Sequence, residues 1–398
     1  MAFFGNDAVN RVNVHTGVQA AAMGAGGVFI LSYLLHAGLS VPATLLSFAA
    51  MLAGRFCLRP LILPLGKRWG LKPLVIAGAL IVAAQYPMLA EVHGLNLWLY
   101  GLVVATAVGD TLYWPSYHAY FAALGDAEHR GQQIAAREAL SAVVGIVAPL
   151  VGSWALVTGG PRITFAAVAV VQALSALPLL GAPNVAVKAT VTGVFKAAKS
   201  GFALFIMDGW MGACFYYVWQ VALFISLDRS LTSYGGAMAL AAVVGAVAGL
   251  VVGRHIDGGG GRRAVILAYA ATAALSLLRA FSVGSPWLAV AANAPGPFVV
   301  ALLLPAEMTA VYNLAKASPC PFRFHILTEG GWDFGAASGA LIAAALAFWG
   351  QSLGISLALT IPGALVAGWV LWRYYGANPS AVGVDVRVEL LTEPPHPP

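Results

Sequence analysis

Charge is what this sequence has least of. Its 398 residues include 21 Lys and Arg and 15 Asp and Glu, so 9% are charged, against about 25% in an ordinary soluble domain. So few charges cannot cover the surface of a water-soluble fold of this length. That excludes a typical cytosolic enzyme, and so apolar a chain is no disordered polymer. Cysteine is scarce too: Cys57, Cys214 and Cys320 lie far apart and match neither a disulfide framework nor a zinc spacing. The N-terminus, MAFFGNDAVNRVNVHTG, lacks the charged, apolar, small order of a cleaved signal, so the first apolar segment is expected to stay. There is no His-Glu-x-x-His, no Gly-x-Ser-x-Gly and no phosphate loop ending in Lys-Ser or Lys-Thr. An intramembrane enzyme would need such a convergent set, so the expectation is a non-enzyme without a cofactor. A sensor would need an output domain, which a tail of about 22 residues cannot form.

What is abundant is apolar sequence. Hydrophobic residues make up 60% of the chain and the mean hydropathy is +0.83. A helix crossing the bilayer core needs about 20 mostly apolar residues. Twelve segments qualify, near 15–38, 41–65, 71–91, 95–123, 131–158, 162–182, 201–227, 234–254, 263–283, 286–315, 323–349 and 353–375. The two longest carry Pro115 and Pro305, the latter with Pro295 and Pro297, and are expected to tilt or kink. With the N-terminus inside, Lys67, Arg68, Lys72, Arg130, Lys188, Lys196, Lys199, Arg254, Arg262, Arg263, Lys316 and Arg323 fall on cytoplasmic connections. Only Arg162 and Arg229 fall outside, which is the positive-inside asymmetry. The expected fold is therefore an all-α membrane protein of twelve transmembrane helices in two six-helix pseudo-symmetric halves, both termini cytoplasmic. The formal charge of +6 comes from small basic groups between spans, so no nucleic-acid partner is expected. The expected divisions are 1–182 for the N-terminal half, 183–200 for a Lys-containing cytoplasmic linker and 201–376 for the C-terminal half. The Pro-rich tail 377–398 is expected to be disordered.

An offset of about 190 residues brings parts of the two halves into register. Pro115 falls on Pro305, Gly70 on Gly261, Lys72 on Arg263 and Glu138 on Glu329. Paired halves of this kind are a common plan for secondary transporters.

After the eighth segment the chain reads Gly253-Arg254-His255-Ile256-Asp257, then Gly258 to Gly261, then Arg262-Arg263. With twelve spans and a basic central connection, this resembles the loop signature of the major facilitator superfamily. The resemblance implies a transporter whose Asp257 loop latches the cytoplasmic gate. The alternative is a tight basic turn that sets topology. The equivalent first-half loop, RPLILPLGKRWG at 59–70, has Leu65 or Gly66 where the acid belongs. In the fifth segment, Gly145-Ile-Val-Ala148-Pro149-Leu-Val-Gly152-Ser153 is similar to the family's antiporter motif, with Ala and Ser replacing two Gly residues. This tilts the implied direction towards efflux, against a plain small-residue packing role. The fourth segment lacks the Arg of the drug–proton antiporter branch.

A charge inside the bilayer costs at least about 2.5–3.5 kcal/mol, so such residues are functional candidates. The acids are Asp110, Glu138, Asp208, Glu307, Glu329 and Asp333, and the bases are Arg55, Arg59, Arg137 and Arg279. Helices one, four, seven and ten line the cavity in the implied plan, which selects Asp110, Asp208, Glu307 and His118 for proton coupling. Structural pairing of Arg55 and Arg59 with Asp110 or Glu138 is the competing reading. Tyr113, Trp114, Tyr117, Trp210, Tyr216, Tyr217 and Gln220 are the cavity candidates, and helix interfaces or interfacial belts are their alternative. Arg254, Asp257, Arg262, Arg263, Arg137, Glu138 and Glu329 are the expected gate. Met207, Met211 and Cys214 share a helical face of soft ligands and resemble part of a copper-importing branch. That branch adds a His-x-x-x-Met, and here only Met238 is present. The expected partners are a small-molecule solute, protons and the lipid bilayer. The expected state is a monomer in the cytoplasmic (inner) membrane.

Overall fold

The computed structural model describes residues 6–124, 130–187, 192–253 and 261–377. The described chain is built of helices joined by short turns, without strands. In order, the rods are α1 (Asp7–Ala25, a 3-10 turn Gly27–Phe29, then Ile30–His36), α2 (Val41–Trp69), α3 (Leu71–Ala90), α4 (Leu97–Leu124), α5 (Arg130–Thr158) and α6 (Gly160–Leu174 with Leu177–Leu180). After the connection come α7 (Val194–Gly212, a π-helical Ala213–Val218, then Trp219–Ser226), α8 (Leu231–Gly253) and α9 (Gly261–Ser282). The last are α10 (Pro286–Asn293 with Gly296–Ala317), α11 (Pro321–Phe348) and α12 (Leu353–Ala358 with Thr360–Ala377).

Among the described residues nine helical stretches are long and apolar enough to cross a membrane, and Val143–Thr158 and Leu231–Val247 are shorter apolar helices. α4 is long enough, but Asp110, Ser116, His118 and its tyrosines make it more polar. The prolines act as their chemistry requires. The tenth segment breaks at Ala294-Pro295, while Pro115 and Pro305 sit inside continuous helix. The expected linker 183–200 is shorter than the sequence implied, because helix resumes at Val194.

That connection is pinned at the end of the bundle where the chain enters and leaves. Asn184 Nδ2 donates to the Trp69 carbonyl (2.8 Å), and Lys72 Nζ donates to the Ala182 carbonyl (2.8 Å). The Lys72 backbone N–H donates to Asn184 Oδ1 (3.2 Å). The α2–α3 turn lies beneath, with Gly70 at φ +81, a conformation that favours glycine. Asn184 thus braces the turn in which the sequence carries no aspartate. At the opposite end, Arg162 donates two bonds to the Glu91 carboxylate (2.6 and 2.8 Å) and holds that carboxyl below its ordinary range.

Glycine spacing sets the closest helix pair. Gly331, Gly335 and Gly339 recur every fourth residue on α11 and lie against α7. A Cβ on Gly331 would sit 2.7 Å from the Phe202 carbonyl oxygen, and one on Gly335 would strike the Ile206 carbonyl. Gly209 of α7 meets the Trp332 backbone in the same way. Gly335→Leu is therefore expected to destabilise the protein by about 1–3 kcal/mol, read as a lower thermal midpoint in detergent. Gly236→Ala, with open space around it, is expected to leave the midpoint unchanged.

Candidate functional site

With its glycines turned to α7, α11 presents His325, Glu329 and Asp333, also four residues apart, to α2 and α4. α2 answers with Arg55 and Arg59 at the same spacing. Arg59 Nε donates to Asp333 Oδ2 at 2.7 Å, and its Nη2 lies 3.6 Å from Glu329 Oε2. Arg55 Nη2 lies 2.9 Å from Asp333 Oδ1, and Nη1 lies 3.4 Å from Asp110 Oδ2 on α4. Arg55 also stands over the Trp332 ring at 5.6 Å. Asp333 is 0% exposed, so these pairs act where water screens little. Arg55 does pair with Asp110, as the structural reading allowed, but Asp333 binds both guanidiniums. The side chains of Arg137 and Glu138 lie outside the described residues.

A second group of acids forms no ion pair with a base among the described residues. Asp208 on α7 and Glu307 on α10 lie within hydrogen-bonding reach of each other, and Asp208 also meets the Trp332 indole N–H. Glu307 is buried, and its Oε1 has no hydrogen-bond partner. Arg279 on α9, another buried base, is engaged elsewhere. Its Nη1 donates to the Phe215 carbonyl (2.7 Å), and its guanidinium stacks on Phe215 (4.3 Å) and Trp219 (4.9 Å). Phe215 belongs to the π-helical turn, whose altered hydrogen bonding leaves carbonyls for such a donor. No local residue pattern signals that turn.

The other candidates divide by location. Tyr217 packs on Phe48 of α2 (4.1 Å) and Trp332 (6.5 Å), so it spans the seam between the two sets of helices. His118 faces His325 across the same seam, ring centroids 6.0 Å apart, with Trp114 stacked on His118 at 5.9 Å. Tyr216 is half-buried within electrostatic reach of Asp208 and Glu307, and Gln220 is half-buried in the next turn of α7. Tyr113 and Tyr117 instead serve the contact between α1 and α4. His15 Nδ1 donates to the Ser175 carbonyl (2.7 Å), and Nε2 lies 2.8 Å from the Tyr113 hydroxyl, which also bonds Gln19. The Tyr117 hydroxyl pairs with Thr16 Oγ1 at 2.8 Å. His15 and Gln19 went unnoticed in the sequence because single polar residues in an Ala-rich helix carry no pattern. Trp210 is a packing residue, donating to the Leu359 carbonyl of α12 (2.8 Å). Met207 and Met211 press on Gly363 of α12, a packing face, and Cys214 is buried.

Of the expected gate, Glu329 joins the charged seam. Arg254 and Asp257 lie outside the described residues. Arg262 stays within the second set of helices: it donates to the Trp372 carbonyl (3.2 Å) and stacks on that ring (4.1 Å). Arg263 is exposed. The antiporter-like segment sits at a three-helix junction. Gly24 of α1 faces Ala148, the Ala25 backbone faces Gly152, and Gly235 of α8 faces Ser153 and the Pro149 carbonyl. Beyond it, Tyr234 of α8 packs edge-on to Phe29 (5.7 Å) and donates to the Val28 carbonyl (3.1 Å).

A model of the major facilitator superfamily matches residues 16–315. The chain belongs to this superfamily. It is accordingly a multi-pass membrane protein with a transporter fold. Solved structures similar to it include the nucleoside transporter NupG (TM-score 0.64, 12% identity, 92% of this chain and 98% of that one). A D-xylose–proton symporter gives TM-score 0.67 at 14% identity, over 94% of this chain and 98% of that one. The human organic anion transporter MFSD10 gives 0.67 at 15%, over 92% and 99%. These likenesses show the fold alone. No curated protein sequence matches the chain.

The buried pairing yields a direct test. Asp333→Leu leaves two buried guanidiniums short of a counter-charge and is expected to cost about 3–5 kcal/mol. Adding Arg59→Met is expected to recover part of that loss. The check is a double-mutant cycle on thermal midpoints, in which purely additive losses would contradict the pairing.

Proposed function

We propose that this superfamily member is a proton-coupled secondary transporter of a small solute, exchanging it for protons in the efflux direction across the cytoplasmic membrane. In this reading the chain makes twelve spans, both termini are cytoplasmic, and residues 1–182 and 201–376 are the two rocking halves around a site at mid-membrane. The single observation that carries the coupling is the Asp208–Glu307 contact. Two carboxyls at hydrogen-bonding distance cannot both be ionised in a low-dielectric setting, and among the described residues no base forms an ion pair with them. One proton held between them satisfies both, and opening to either side lets that proton leave. Asp110 is a weaker carrier because Arg55 already neutralises it.

The gate follows from the seam. Arg59 on the first half and Glu329 and Asp333 on the second form a lock that must break when the halves part along α2 and α11. Efflux is supported by the placement of Ala148-Pro149 and Gly152-Ser153 where α1, α5 and α8 meet. Bending at Pro149 there would change how closely the halves approach. The Asp257 loop is assigned to the latch by resemblance.

In proteoliposomes, with a solute found by screening, Asp208→Asn and Glu307→Gln are expected to retain solute counterflow. Both should lose accumulation driven by a pH gradient. Glu91→Gln, at the exposed far end, is the control expected to retain both. Gradient-driven accumulation that survives in both carboxyl variants would refute the coupling role.

A further inference from the structure

Three arginines gather where α9 begins and α12 ends. Arg262 and Arg263 stand in the first turn of α9 and Arg373 in the last turns of α12, all exposed. Among the described residues none of the three forms an ion pair. Their contacts are aromatic instead. The Arg262 guanidinium lies over the Trp372 ring (4.1 Å), and its Nε donates to the Trp372 carbonyl (3.2 Å). The Arg373 guanidinium lies over the Trp369 ring (5.0 Å). Stacking on a ring face uses none of the five N–H donors of a guanidinium, so both keep donors for an incoming acceptor. Room for Arg262 is built into α12: a Cβ on Gly376, one turn beyond Trp372, would strike its guanidinium.

Moving along the two helices from that end, the outer surface changes character in a fixed order. Trp372 stands level with the arginines and Trp369 about one turn further in, and both indoles are exposed. Exposed Ile266 and Leu267 on α9 and exposed Leu365 and Val366 on α12 follow. The helices pack together along this line, with Gly368 of α12 against the Tyr269 ring of α9. Cations at the helix ends, then indoles, then aliphatic side chains match the phosphate, ester and acyl levels of a phospholipid. Charge alone would suit any anion, and the aliphatic strip alone any hydrocarbon. Their junction on one helix pair selects a molecule that carries both.

We propose that the outer face of the α9–α12 pair holds an anionic phospholipid, its phosphate on Arg262, Arg263 and Arg373 and an acyl chain along Ile266 and Leu365. The proposal rests on membership of the superfamily and not on the transport reading. It moves Arg262 and Arg263 from the gate to the lipid. Guanidinium is weakly hydrated, and its paired N–H groups match two phosphate oxygens, so arginine suits this contact better than lysine. The indoles hold two of the three guanidiniums in place beforehand, which lowers the side-chain entropy lost on binding. A phosphatidylcholine headgroup brings its own cation and no net charge. A phosphatidylglycerol headgroup brings a net negative charge to three unanswered positive ones, and is the favoured occupant.

The test titrates full-length protein in detergent with dioleoylphosphatidylglycerol and with dioleoylphosphatidylcholine of the same chains, and counts bound lipid by native mass spectrometry. The anionic lipid is expected to bind more tightly. Arg262→Gln should weaken it about fivefold, and the triple change of Arg262, Arg263 and Arg373 to Gln on the order of a hundredfold, with the phosphatidylcholine affinity unchanged. Gly376→Val displaces Arg262 without removing a charge and should weaken the anionic lipid as Arg262→Gln does. Lys196→Gln with Lys199→Gln removes two exposed charges from the start of α7 and is expected to leave the affinity as it is. Equal affinities for the two lipids, or a triple variant that binds as the parent does, would overturn the proposal. So would a lysine variant as weak as the arginine one, which would reduce the effect to general positive charge. Displacement of the lipid by an equal concentration of glycerol 3-phosphate would show a free-phosphate site and overturn it as well.

Discussion

Ionised groups inside an apolar bundle must find partners within the protein, and the rest of this structure is arranged around that demand. Water is not there to solvate them, so each guanidinium and carboxylate is placed by the opposite charge nearest to it. Asp333 is the hub. It is fully buried and holds Arg55 and Arg59 at once, so α2 and α11 are joined at mid-length by ion pairs as well as by packing. Above and below that point the seam is apolar or aromatic: Phe48 on Tyr217, Phe29 on Tyr234, and Phe322 against Gly66.

The hub works because α11 has two different faces. Its glycines let the α7 backbone approach closely, which fixes the helix rotation and turns the His325, Glu329 and Asp333 face across the seam. Close packing on one side and charge pairing on the other are thus one arrangement. The π-helical turn of α7 serves the same logic. It frees the Phe215 carbonyl, and Arg279, which would otherwise be a buried cation without a partner, is satisfied by that carbonyl and by two rings. Among the described residues, Asp208 and Glu307 form no ion pair with a base.

Much of this was legible in the chain beforehand. The apolar segments, the breaks at Pro295 and after Trp69, and the superfamily all follow from composition and short motifs. Spacing showed that Arg55 and Arg59 share a helical face, as Glu329 and Asp333 do. It does not show that these two faces meet, because that depends on how α2 and α11 are rotated against each other. The tyrosines illustrate the same limit. Tyr113 and Tyr216 look alike in sequence, yet one bonds His15 and Gln19 inside the first six helices and the other stands near the acid pair.

The sequence by itself determined that the chain is helical and apolar and which residues bear charge where charge is costly. Those properties depend on neighbours three or four residues away, and a helix repeats on that scale. The tertiary structure alone decided that Asp333 binds two arginines, that Arg279 is spent on a backbone carbonyl, and that Asp208 and Glu307 come near each other. Those outcomes depend on how helices far apart in the chain are rotated against one another. That rotation is set by which small residues let two backbones come close.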